Sequence, residues 1–310
     1  MSEEDRARLQ YQLQSVYEAL SKTRVLAGIF DQTWFYRIKQ EIEKADLSEP
    51  FTSDAAFMFF MLSHPFRGIE WFESAQKLLE EGHPQDLERG QEIAIALFGR
   101  DPVRTFLPIL EERLASLQAL PFKQSEVANK LKELCATRFS QKFQNHAFEL
   151  SVLGFFAKKE ILTDIEVSVG NGGSKVDGEI KIDNRPILIE VTLTTQEILS
   201  RVPGPHTANP NTLIAQVFNK VHKKVGRGRQ LGVAGGNPSI LFLGRNPLGA
   251  DRHFAQLGIE RCFDDPTLNL SGIVISDSWK FLQTEFHELP HSRTPLSKLE
   301  IDKLRSLLDR

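Results

Sequence analysis

Ile187-Leu188-Ile189-Glu190-Val191-Thr192-Leu193 is an apolar, β-branched run with one carboxylate at its centre. Hydrophobicity on both sides of the acid reads as a strand covered on both faces. A strand repeats every two residues, so Leu188, Glu190 and Thr192 share one face while Ile187, Ile189, Val191 and Leu193 share the other. Burying a bare carboxylate costs several kcal/mol, roughly, so Glu190 must be paired, protonated or bound to a metal. No basic residue stands inside the run to pair with it.

Upstream, Val176-Asp177-Gly178-Glu179-Ile180 leads through Ile182-Asp183-Asn184-Arg185-Pro186 into that strand. The pattern predicts strand, tight turn, strand, with Asp177 beside Glu190 on the neighbouring strand. Taken alone, Asp177-Gly178 is also a common turn pair. Two hard oxygen ligands side by side suit Mg²⁺ or Mn²⁺. Glu149 falls on a predicted helix before the hairpin, where it reads equally well as a solvated residue.

Helix-borne Glu149, then Asp177, then Glu190-Val191-Thr192 resembles the PD-(D/E)XK nuclease superfamily over residues 140–290. Gln216, Lys220, Lys223, Lys224 and Gln230 resemble the Lys/Gln-bearing helix that follows the acid strand in many members. Two positions depart: Thr192 stands where the family has its lysine, and Val176 stands where it has proline. The resemblance implies a restriction-endonuclease-like α/β sandwich around a mixed sheet. It implies metal-dependent phosphodiester hydrolysis, with Asp177, Glu190 and Glu149 as metal and catalytic residues. The lysine role then falls to Lys220 or Lys224 on the following helix, with Lys175 as a third candidate. The setting it suggests is a DNA endonuclease of restriction, defence or repair. The alternative is an inactive nuclease-like fold that serves as a nucleic-acid-binding or protein-interaction module.

Charge distribution points the same way. The chain is net −3, which by itself selects no partner. Yet no Asp or Glu occurs from Ile198 to Ala250, while Arg201, Lys220, Lys223, Lys224, Arg227, Arg229 and Arg245 all fall inside. Glycines make 225–237 a basic loop suited to following a phosphate backbone. Gln216, Lys220 and Lys224 recur at helical spacing with Lys223 alongside, so Gln216, Lys220, Lys223, Lys224, Arg227, Arg229 and Gln230 form the predicted nucleic-acid surface, with DNA favoured over RNA. Cutting both strands of a duplex with one site per chain would call for a homodimer.

Further strands are expected at Ser239–Leu243, Gly272–Ser276 and Lys280–His287, and a last helix at Leu296–Leu308. Residues 1–125 contain no period-two segment; Pro and Gly breaks divide them into short helices, including an apolar one at Ala55–Leu62. An all-helical domain over 1–125, for recognition or partner binding, and a nuclease-like domain over 126–310 follow. The acidic start Met1-Ser2-Glu3-Glu4-Asp5 predicts no secretory leader, and no apolar run reaches membrane-spanning length. Cys135 and Cys262 form no zinc or disulfide pattern, consistent with a cytoplasmic location.

Overall fold

The computed structural model describes residues 14, 17–44, 102–136, 140–170, 174–193, 210–225, 231, 236–245, 252–277 and 282–309. The predicted helix at Ala55–Leu62, the basic residues Arg201, Arg227 and Arg229, and Gln230 lie outside them.

The apolar run becomes β3 (Arg185–Leu193), the strand around which a six-stranded sheet is built. Its partners are β1 (Leu162–Val169), β2 (Ser174–Ile182), β4 (Ser239–Arg245), β5 (Gly272–Asp277) and β6 (Leu282–Glu288), lying side by side in sequence order. β1, β2 and β3 form an antiparallel meander. β4 and β5 then add in parallel, and β6 closes the far edge antiparallel to β5. Parallel neighbours need crossovers, which supply α6 (Pro210–Val225) and α7 (Arg252–Phe263). The protein is therefore of the mixed α/β class. The β2–β3 turn is Asp183-Asn184, and both residues have positive φ, 52° and 64°. Two such residues in succession match the right-handed strand twist of a two-residue hairpin.

The period-two reading of β3 is visible in the packing. Leu188 joins Leu241, Leu243 and Ile273 in a core with Val217, Val221 and Val225 of α6 and Ile259 of α7. On the other face, Gly178 lies against Leu153 and Ile189, and Gly244 lies against Leu193 and Phe148. Phe148 and Leu153 belong to α5 (Ser140–Lys158), a helix buried nearly all round from Ala147 to Ala157. Each fully buried Leu, Val or Phe contributes roughly 1.5–3 kcal/mol, so both faces of β3 anchor the sheet. The last helix, α8 (Lys298–Leu308), starts two residues later than the expected Leu296, because Ser297 and Glu300 form a reciprocal capping box there.

Toward the N-terminus the described elements are all helical: α1 (Val25–Ile29), α2 (Gln32–Lys44), α3 (Pro102–Gln118) and α4 (Gln124–Ala136). The Glu111 carboxylate accepts the backbone N–H groups of Arg24, Val25 and Leu26 at 2.7, 2.8 and 2.9 Å, satisfying the open donors that begin α1. The chain divides into two compact units, Met1–Ala115 with Leu131–Phe143, and Ser116–Lys130 with Gln144–Arg310. The second unit contains every residue of the acidic cluster described next. Among the described residues no helix is long and apolar enough to cross a membrane.

Candidate metal centre

The β2–β3 ladder runs from Ile182↔Arg185 to Gly178↔Ile189 and ends there. One step further, Asp177 and Glu190 face each other across the opening fork. Beyond it β2 pairs with β1 and β3 pairs with β4. In place of the next ladder bond, the backbone N–H of Val191 donates to Asp177 Oδ2 at 2.7 Å. Hence the hairpin fixes the spacing of the two acids that the sequence predicts side by side.

Glu190 is fully buried, and its Oε1 accepts from Lys224 Nζ at 2.5 Å. Its Oε2 is buried and has no hydrogen-bond partner among the described residues. Lys224 comes from the last turn of α6, whose Val217, Val221 and Val225 face the core while Gln216, Lys220 and Lys224 run half-buried beside them. Of the three lysines considered for this role, Lys224 reaches the acid pair. Lys220 is half-buried on the same helix, and Lys175 lies 3.8 Å from Glu166 Oε2; Lys223, expected only at the nucleic-acid surface, is exposed. Thr192 is buried.

Glu149 enters from α5, where it sits among buried apolar neighbours, and is mostly buried itself. A residue that sequence reasoning missed completes the group: Glu166 on β1. Oxygens of Glu149, Glu166 and Asp177 lie within 4.8 Å of one another. Ile165↔Gly178 and Val167↔Val176 bracket Glu166 and Asp177, so Glu166, Asp177 and Glu190 stand in one transverse row across three strands. Glu166 has φ 52°, a left-handed backbone inside a strand. For a glutamate this conformation costs about 1–2 kcal/mol. A second residue absent from the sequence reading, Lys130 of α4, donates to Glu149 Oε1 and pairs with Glu166 Oε1.

The electrostatics follow from four acids, buried Lys130, half-buried Lys224 and, at the edge, exposed Lys175. Burial, then the charges of Glu149 and Glu190, pushes the Asp177 carboxyl well above the usual range; Lys130 and Lys224 offset this in part. Burial likewise raises Glu190, against the opposing pull of Lys224. Burial would lower the Lys224 ammonium, but Glu190, Asp177 and Glu149 together hold it above its ordinary value. Lys130 is raised in the same way, chiefly by Glu149 and Asp177 against its burial. Burial and mutual repulsion thus oppose ionisation at Asp177 and Glu190, and an added cation would relieve both.

Oxygen donors of Glu149, Glu166 and Asp177 at this spacing could hold a metal ion. Comparison with family models, with curated proteins and with solved structures finds no match to this chain.

Proposed function

We propose that the protein is a Mg²⁺- or Mn²⁺-dependent nuclease that hydrolyses phosphodiester bonds of nucleic acid, with DNA the favoured substrate, in the manner of the PD-(D/E)XK superfamily. The observation that carries this reading is the ammonium of Lys224 at 2.5 Å from Glu190 Oε1, beside Asp177 at the strand fork. An acid pair at the fork and a lysine beside it are the chemical components that the motif requires. In this reading the lysine reaches the site from α6 instead of from Thr192.

Asp177, Glu149 and Glu166 would hold the ion, with Glu190 Oε2 as a further donor. A bound divalent ion supplies Lewis acidity and a water of lowered pKa. The chain's own contribution is positional and electrostatic. The Val191 N–H fixes the Asp177 carboxylate, and burial excludes bulk water from Glu190. Lys224 brings positive charge to the place where negative charge grows on the phosphate in the transition state. Exposed Lys223 and half-buried Lys220 on the same helix extend that positive field toward a phosphate backbone.

A second reading, a binding module that does not cut, draws on a specific observation: Lys130 and Lys224 already pair with three of the four acids. Incubating the purified protein with supercoiled plasmid in Mg²⁺ or Mn²⁺, beside Asp177→Ala and an EDTA control, separates the two. Metal-dependent nicking that the variant lacks supports the nuclease. Retained DNA binding with no cleavage of DNA or RNA favours the module.

A further inference from the structure

Lys130 occupies an unusual position: one ammonium, on a side chain only 10% exposed, touches both Glu149 and Glu166. Those two residues supply two of the three oxygens that define the candidate metal centre. A divalent ion coordinates carboxylate oxygens at about 2.0–2.6 Å. An ion that took the same oxygens would stand within contact distance of Lys130 Nζ, and like charges at that range repel strongly.

We infer that Lys130 is the resident counter-cation of the acidic cluster, and that a divalent ion binds by displacing its ammonium from Glu149 and Glu166. This inference rests on the reading of the cluster as a metal centre. Three features beyond the acidic cluster itself support it. Glu190, whose charge acts on Asp177, is fully buried, and neither lysine satisfies its Oε2. Lys224 is committed to Glu190 Oε1 and exposed Lys175 comes only within 3.8 Å of Glu166, so Lys130 is the buried ammonium that touches both Glu149 and Glu166. A lysine stem of four methylenes can also withdraw its head by rotamer change, without moving the helix that carries it.

Lys130 would then set the affinity of the site. It holds Glu149 and Glu166 together when no ion is bound, and it opposes the ion that needs them. Removing its charge has opposite effects on the two states: the metal-free protein becomes less stable, and metal binding becomes tighter.

The test is Mn²⁺ titration followed by electron paramagnetic resonance on wild type, Lys130→Met and Lys130→Arg. Lys130→Met keeps most of the apolar stem and loses the charge; it is expected to bind Mn²⁺ at least about tenfold more tightly, the size of one charge interaction at about 3 Å in water and a lower bound where water is excluded. Lys130→Arg keeps the charge and is expected to stay near or below wild-type affinity. In EDTA, Lys130→Met should melt at a lower temperature than wild type, and saturating Mn²⁺ should raise its melting temperature by more. A second measurement needs no variant: acetylation of Lys130 in the wild type, read by peptide mass spectrometry, should speed up when Mn²⁺ saturates the protein.

Equal or weaker Mn²⁺ binding by folded Lys130→Met, or greater protection of Lys130 in Mn²⁺, overturns the inference and leaves the metal centre standing. Absence of Mn²⁺ binding in every variant overturns both. Displacement of Lys130 by Mn²⁺ in a protein that cleaves nothing upholds the inference and sinks the nuclease reading alone.

Discussion

Asp177 Oδ2 accepts the backbone N–H of Val191 at 2.7 Å, one step beyond the last β2–β3 ladder pair. The donor is the residue next to Glu190, so a single hydrogen bond ties one acid to the backbone that carries the other. Side-chain closure of the ladder lets the strands part while keeping the two carboxylates together.

The raised Asp177 carboxyl gives a signed pH dependence. A folded state with a raised carboxyl binds more protons than the unfolded chain between the ordinary value, near pH 4, and the raised one, so stability falls as pH rises through that window and stays lower above it. Asp177→Asn, whose amide oxygen can still accept from Val191, removes the penalty. In EDTA it should melt above wild type at neutral pH, with the difference disappearing below the ordinary carboxylate range; a lower melting temperature at neutral pH would contradict the assigned electrostatics.

Removing the partner of Glu190 should be costly. Lys224→Met leaves a fully buried carboxylate without its cation and is expected to lose about 3 kcal/mol in urea denaturation. If the nuclease reading holds, cleavage falls by about a hundredfold as well, because transition-state charge loses its neutraliser. Lys224→Arg should recover most of the stability. A neutral effect of Lys224→Met on folding would mean that the pair does not form.

Gly178 stands next to Asp177 where α5 crosses the sheet. A Cβ there would meet Leu153 Cδ2 at 2.9 Å and the Asp164 carbonyl oxygen at 3.1 Å, and the latter is backbone that cannot rotate away. Gly178→Ala is expected to cost about 1–3 kcal/mol through overpacking. It should also weaken Mn²⁺ binding, because the helix pushed outward carries Glu149. Wild-type stability together with wild-type Mn²⁺ affinity would refute the close approach.

The β2–β3 turn offers a test in the stabilising direction. Asn184 has φ 64°, a conformation that glycine adopts without strain. Asn184→Gly should keep or slightly raise the melting temperature, and Asn184→Ala should lower stability by about 1 kcal/mol. Equal stability of the Ala and Gly variants would argue against the left-handed turn.

Much of the sheet was legible because its signals are local. Two-sided hydrophobicity marked β3, Asp183-Asn184 marked the hairpin, and short apolar runs bounded by Pro or Gly marked β4 and β5. The helical stripe Gln216, Lys220, Lys224 correctly gave one face of α6. Two elements escaped notice although their patterns are present. In β1, Ile165, Val167 and Val169 alternate as a half-buried strand should, and in α7 Phe254, Leu257 and Cys262 fall at helical spacing.

The site was less legible, for a physical reason. Between Ile165 and Val167, Glu166 looks like the solvent-facing residue of an ordinary strand. Its place in the cluster comes from strand register and from a backbone angle, neither of which is a property of the sequence window. Lys130 reaches Glu149 from another helix, 19 residues away. Glu149 did carry a local signal, since Ala147, Phe148, Leu150, Val152 and Leu153 around it are all buried. An acid in such a helix needs a partner as much as an acid in an apolar strand does.

The left-handed backbone at Glu166 bears on how this chain would drift under mutation. At φ 52° glycine or asparagine would relieve the strain, so a lineage selected for stability alone would be drawn away from glutamate at this position. Keeping the carboxylate there means tolerating a less favourable backbone at every generation. If the metal-centre reading holds, variants released from functional demand should lose this acid early, before the buried Glu190, whose replacement would disturb the packed face it shares with Leu188 and Thr192.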